Sequence, residues 1–258
     1  MCGRYVITSS PAAIRALFGY PEQPNFPPRY NVAPTQPIAV VRLHDGKRQF
    51  VLMRWGLIPS WVKDPKAFSL LINARGESVI DKPAFRAAMR RRRCLIPADG
   101  FYEWKEVGGR KRPYFVRLKG SGGPFAFAGL WETWTGPNGE ELDTAAIVTT
   151  NANRTLSAIH DRMPVIVPPE AFDLWLDCAK VDGKIAAALL TPAREDLLEA
   201  YEISPAVNRV ANDSQALIAP VAADAEAPLA TAAPAPPEAP APANSKTAKK
   251  RTDQASLF

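Results

Sequence analysis

The sequence predicts an α+β fold, a single domain with a mostly antiparallel, barrel-like β core and short peripheral helices. Three observations predict it. Most apolar runs are short and rich in β-branched and aromatic residues; turn dipeptides separate neighbouring runs; and only three segments carry helix-start signals.

Taken in order, the extended runs are CGRYVIT, PIAVVRL, FVLMRW, CLIPA, GFYEWKEV, YFVRL, FAFAGLWETW, AAIVTT and PVIV. Asp45-Gly46 falls between PIAVVRLH and KRQFVLMRW, Gly108-Gly109 precedes RKRPYFVRL, and Asn138-Gly139 follows WETWTGP. Such pairs accept the positive φ angles of tight antiparallel hairpins, so successive hairpins curl into a sheet or barrel. Ser10 before Pro11 opens a helix over AAIRALF that Gly19 stops; Pro83 opens AFRAAMRRR and Pro169 opens EAFDLWL. The arginine run Arg90 to Arg93 closes the second of these, where a helix C-terminus and solvent both favour cations.

The domain spans residues 1–221. From residue 222 to 258 the chain is a Pro/Ala-rich tail too poor in large apolar residues to build a core, so disorder is expected there. It carries a basic patch at Lys249, Lys250 and Arg251 and ends in Gln254-Ala255-Ser256-Leu257-Phe258. No run approaches the ~20 apolar residues a membrane helix needs, and MCGRYVIT has no signal-peptide pattern. Three widely spaced cysteines make neither a disulfide framework nor a paired zinc motif, which points to a reducing, cytoplasmic setting. A net charge of +6 is compatible with an anionic partner without requiring one. No metal, phosphate-loop or dinucleotide signature occurs, and a monomer is expected.

Cys2 is the residue with the most distinctive chemistry. After removal of Met1 it carries a free α-amine beside its thiol, with ordinary pKa values of about 8 and about 8.5. A 1,2-aminothiol reacts with an aldehyde: the amine forms a Schiff base, and the sulfur closes a thiazolidine ring. The competing reading is a small buried cysteine with no chemistry. His160, in AIHDRMPV between a helical run and a strand, is either an acid/base or a loop-holding residue. Glu103, in GFYEWKE, lies on a strand where alternation turns it away from Tyr102 and Trp104; it earns a role only if it points into a cleft. Asn73 and Arg75, in NARGES, could hold a phosphate or a sugar hydroxyl. Arg4, Arg75, Arg86 and Arg162, with Trp55 and Trp61, are the cations and aromatic faces available to a nucleic acid strand, set against the frequent burial of tryptophan. His44 reads as a solvated hairpin residue.

MCGRY, YNVAPTQ, RWGLIPSW, NARGES, CLIPADGFYEW, TTNAN, IHDRMPVIV and SPAVNRVAND occur in this order before the tail. Together they resemble the SOS response-associated peptidase family. The resemblance implies an N-terminal catalytic Cys2 and binding of abasic sites in single-stranded DNA, with no cofactor. It implies that Asn73 positions the terminal amine or sugar and that Glu103 and His160 transfer protons. It places Arg4, Asn31, Pro34, Trp55, Arg75, Arg162 and Met163 or Pro164 along the DNA cleft. The crosslink would shield the strand from cleavage during replication, at the nucleoid. The family name records a suspected peptidase activity, which self-removal of Met1 would satisfy.

Two rivals stand beside this reading. One is an N-terminal-nucleophile thiol hydrolase; the other is a single-strand binder in which Cys2 merely packs. Separately, Gln254, Leu257 and Phe258 resemble a bacterial sliding-clamp binding peptide at the end of a flexible tether.

Overall fold

The computed structural model describes residues 2–120 and 122–221. The tail, with its basic patch and the Gln254, Leu257 and Phe258 motif, lies outside the described residues. The strands are β1 (Tyr5–Ile7), β2 (Arg29–Val32), β3 (Pro37–His44), β4 (Lys47–Trp55), β5 (Asn73–Arg75), β6 (Arg93–Ala98), β7 (Gly100–Val107), β8 (Arg110–Leu118), β9 (Phe125–Thr135), β10 (Glu141–Asn151), β11 (Arg162–Pro164), β12 (Ile166–Val167) and β13 (Leu198–Glu202). The helices are α1 (Pro11–Phe18), α2 (Arg86–Arg91), α3 (Arg154–Ser157), α4 (Phe172–Leu176) and α5 (Gly183–Ala186).

Five strands close on themselves: β10 pairs with β4 in parallel, and β4–β3, β3–β6, β6–β9 and β9–β10 are antiparallel. Closure of this mixed barrel leaves no free edge within the ring. Its wall is covered on both faces, with Val40 and Ile147 on one side of the sheet and Leu95 and Ala128 on the other, all buried. A second sheet, β13-β8-β7-β1-β2, is antiparallel throughout. One face of it packs on the main core through Tyr5, Phe101 and Val116. The other face builds a small core from Val6, Tyr102, Phe115, Ile203, Val207 and Leu217.

The expected hairpins are present. Asp45 and Gly46 join β3 to β4 with φ of 49° and 73°, the left-handed pair that such a turn demands. Helix α1 begins with Ser10 accepting from Ala13 N–H and ends at Gly19 in the left-handed conformation. The other two helices start later than their prolines suggest. Pro83 lies in a turn whose Lys82 carbonyl accepts from Phe85 and Arg86 N–H, and α2 begins at Arg86. Pro169 opens a 3-10 turn that precedes α4. The strands β2, β5 and β13 follow no strong local pattern and exist because a neighbour offers an edge.

The arginine run is also corrected. Arg93 is 1% exposed and belongs to the interior. Its guanidinium donates to the carbonyls of Trp175, Met89 and Val181 at 2.6, 2.9 and 2.8 Å, tying α2, α4 and the loop after it together. A planar fork with five donors can satisfy several carbonyls at once, which makes its burial tolerable.

Candidate active site

Strand β10 organises the site. Its C-terminal half lies between β5, which it pairs in parallel with Ile147 opposite Asn73, and β11, where Asn151 faces Arg162. The loop between α3 and β11 carries His160, so Asn73 and His160 flank the same strand. Strand β1 supplies the third component. Tyr5 stands opposite Phe101, and Tyr102 N–H donates to the Arg4 carbonyl at 3.0 Å, which runs the start of the chain toward Glu103.

Cys2 is fully buried in the chain that carries Met1. Its carbonyl accepts from Asn73 Nδ2 at 2.9 Å, fixing the backbone that precedes β1. Asn73 Oδ1 is buried and has no partner among the described residues, so the amide retains an acceptor. Burial, with Glu103 adding to it, pushes the Cys2 thiol far above its ordinary range; the sulfur is therefore held as a neutral thiol.

Glu103 projects from β7 on the face opposite Tyr102 and Trp104, as strand alternation requires. It is 2% exposed, and burial raises its carboxyl to about 7. It lines a polar cleft of about 610 Å³ with Trp104, Glu106, Lys111, Ile159, His160 and Asn208. At neutral pH Glu103 is thus poised between acid and base. His160 Nδ1 accepts from Arg162 N–H at 3.0 Å and also lies 2.8 Å from Asp161 Oδ1. Desolvation lowers its pKa against the opposing pull of Asp161. The Asp161 carboxylate is 86% exposed and its attraction is screened, so desolvation prevails and the neutral ring is favoured. A separate apolar cavity of about 330 Å³, with Phe125, Ile166, Phe172 and Leu189 in its wall, shares no residue with this cleft.

The expected DNA-lining residues divide. Trp55 is fully buried, edge-on to Tyr5 and donating to the Ile72 carbonyl at 3.0 Å; Met163 is fully buried, its sulfur accepting from Asn153 N–H at 3.4 Å. Both belong to the core, because β4 and β11 turn these positions inward. Asn31 is 1% exposed and is spent inside the protein: Nδ2 donates to the Asn212 carbonyl at 2.8 Å and Oδ1 accepts from Arg4 at 2.7 Å. Arg162 is 8% exposed and grips Glu77 with both terminal nitrogens, at 2.6 and 2.9 Å. Arg4 is half-buried, Pro34 is partly exposed, and Arg75 and Arg86 are exposed. Trp61 is 59% exposed and meets Phe68 edge-on, so of the two tryptophans in RWGLIPSW it is the one that offers a face to solvent. His44 is exposed on its hairpin beside Asp45.

Sequence reasoning missed Asn208 and Lys111, and treated Trp104 only as a neighbour of Glu103. Nothing local marks them, since 104, 111 and 208 meet only through folding.

Residues 1–210 match the model of the SOS response associated peptidase family. The chain belongs to this family. It is 41% identical over 222 residues to the abasic site processing protein YoqW of Bacillus subtilis, covering 84% of this chain and 99% of that one. It is 31% identical to the abasic site processing protein HMCES of Gallus gallus, covering 86% and 78% of the two chains. Among crystal structures, a protein from Bacteroides thetaiotaomicron superposes with a TM-score of 0.76 at 25% identity, covering 86% of this chain and all of that one. Family membership thus extends over the barrel and the second sheet together. Among the described residues no helix is long and apolar enough to cross a membrane.

Proposed function

We propose that this protein captures abasic sites in single-stranded DNA as a covalent thiazolidine adduct at Cys2, formed once Met1 is removed. The observation that carries the proposal is the grip of Asn73 on Cys2 beside a cleft where Glu103 and His160 converge. The names of the relatives record abasic site processing, and that substrate is carried over here as part of the proposal.

The ring-opened abasic sugar presents an aldehyde at C1′. The Cys2 amine attacks it, and condensation releases one water and leaves an imine. The thiol then adds across the C=N bond: sulfur bonds to carbon and the nitrogen regains its hydrogen. Closing the ring removes the iminium that would drive β-elimination, so the strand stays intact. This order, amine first and sulfur second, needs no thiolate at the start, since the thiol adds only once the imine has formed. Glu103, ionising at about 7, takes and returns protons at the amine and at the opening sugar, and the neutral His160 serves as the second proton-transfer group. Asn73 orients the terminal residue. Arg75, Arg86, Pro34 and Trp61 supply the outer surface for the strand, while Arg4 and Arg162 support the cleft from within.

The family's recorded peptidase activity favours a second reading, a thiol hydrolase whose substrate includes its own Met1. The neutral thiol argues against a resting thiolate nucleophile. We also propose that Gln254, Leu257 and Phe258 tether the domain to a sliding clamp; a peptide of residues 246–258 that binds the clamp equally well after Leu257→Ala and Phe258→Ala ends that idea.

The test is a denaturing gel and intact mass after incubation with an oligonucleotide bearing one abasic site. An adduct that survives heat with wild type, and is absent from Cys2→Ala and from a form retaining Met1, supports aminothiol capture. No adduct from Met1-free protein eliminates it and favours the hydrolase.

A further inference from the structure

The cleft holds two groups that the crosslink chemistry leaves unused, Asn208 and Lys111. Asn208 ends the 3-10 turn Pro205–Asn208, and its Oδ1 accepts from Trp104 Nε1 at 2.8 Å. An indole N–H can only donate, so the amide has one possible orientation. Oδ1 faces Trp104, both Nδ2 hydrogens turn the other way, and no described residue accepts from them.

The turn itself is held firmly. The carbonyls of Val207 and Asn208 accept from Arg4 at 3.0 and 3.4 Å, and those of Val207, Arg209 and Asn212 accept from Asn31 at 3.2, 3.2 and 2.8 Å. Two residues expected to touch DNA therefore converge on the segment that presents Asn208. Lys111 stands in the cleft wall opposite Glu106 in the β7–β8 hairpin, exposed, with no described carboxylate at ion-pair distance. Its charge reaches His160, whose pKa it helps to lower.

We infer that Asn208 and Lys111 form a seat for a backbone phosphate of the bound strand, adjoining the reacting sugar, and that Trp104, Arg4 and Asn31 are its positioning residues. The inference rests on the proposed capture of abasic DNA. A phosphodiester offers two acceptor oxygens and no donor, which is the complement of an amide NH₂ and an ammonium lining one cleft. Such a contact fixes where the sugar sits relative to Glu103 and His160 without reading sequence.

The experiment uses the full chain with Cys2→Ala, so that binding is non-covalent, and a labelled single strand containing a tetrahydrofuran abasic analogue, titrated over a range of salt. Lys111→Gln lowers the slope of log affinity against log salt by about 0.7. Asn208→Asp keeps the acceptor for Trp104 but aims a carboxylate oxygen at the phosphate, weakening binding by about 10-fold or more. Asn208→Ala and Trp104→Phe each weaken it by about 5-fold, and the double variant is no weaker than the worse single one. An unchanged slope for Lys111→Gln, or an Asn208→Asp protein that binds like its parent, overturns the seat. Adduct formation is scored separately on chains that keep Cys2. A normal adduct alongside those negative binding results removes only the seat, whereas no adduct removes the function on which it rests.

Discussion

Replacing Glu103 with glutamine should make the protein more stable at high pH and less able to react. In the fold the carboxyl ionises at about 7, against an ordinary value of 4.5, because burial disfavours the charged form. The difference, 2.5 pH units at ~1.4 kcal/mol each, is worth about 3 kcal/mol. The folded state holds the proton more tightly than the unfolded chain does, so this stabilisation is complete below pH 4.5. It drains away as the pH rises through about 7 and is gone above it. Glutamine is neutral throughout and carries no such penalty. At pH 8 the variant should therefore exceed wild type by about 3 kcal/mol, a shift of roughly 1–2 M in the urea midpoint at a typical slope, with the two curves merging in acid. The assay is urea unfolding followed by tryptophan fluorescence from pH 4 to pH 9. In parallel, the rate of adduct formation in wild type should change near pH 7, and the variant should lose that inflection. A midpoint difference that does not vary with pH would refute the premise that Glu103 is a buried, strained carboxylate. Its retention at such a cost fits a group kept for reactivity rather than for the fold.

Three further outcomes follow from packing. Arg162→Ala removes both bonds to Glu77 and those to Thr149 and Asn151, and should cost about 2–3 kcal/mol; Glu77, half exposed, regains water and keeps the loss below that of a fully buried pair. Wild-type stability in chemical denaturation would show that the network is idle. Gly100→Ala places a Cβ 2.4 Å from the Phe115 ring and 2.8 Å from the Val116 carbonyl, so about 1–3 kcal/mol should be lost as the β7–β8 pair adjusts, read as a lower Tm. Arg93→Lys puts one ammonium where a fork reaches carbonyls of α2, α4 and the following loop, and should cost about 2 kcal/mol; a variant within ~0.5 kcal/mol of wild type would mean that water replaces the lost donors.

The hairpins were legible because their determinants are local: Asp45-Gly46 needs only its own φ preferences to turn the chain. The orientation of Glu103 was legible for the same reason, since alternation along one strand sets it. Helix α1 carried its own cap and stop, while α2 and α4 were placed early, because proline permits a helix start without fixing it. Charge and aromaticity were poorer guides. Trp55 and Arg93 look like surface residues by type or by neighbours, yet one is an aromatic wedge of the barrel and the other a buried brace. Several signature residues also turn out to hold the frame. Asp99 accepts from Thr8 and Ser9 N–H at 2.6 and 2.8 Å, and Tyr102 donates to the Tyr30 carbonyl at 2.6 Å.

By itself the sequence determined the β-dominated class, the family and the aminothiol latent in Cys2, since each depends on residue type, order or short-range geometry. Only the tertiary structure decided that Asn73 holds Cys2, that Glu103 is buried deeply enough to ionise near neutrality, and that Trp104, Lys111 and Asn208 share its cleft. Desolvation and hydrogen bonding between distant segments depend on what packs against a group, and no local stretch of sequence contains that.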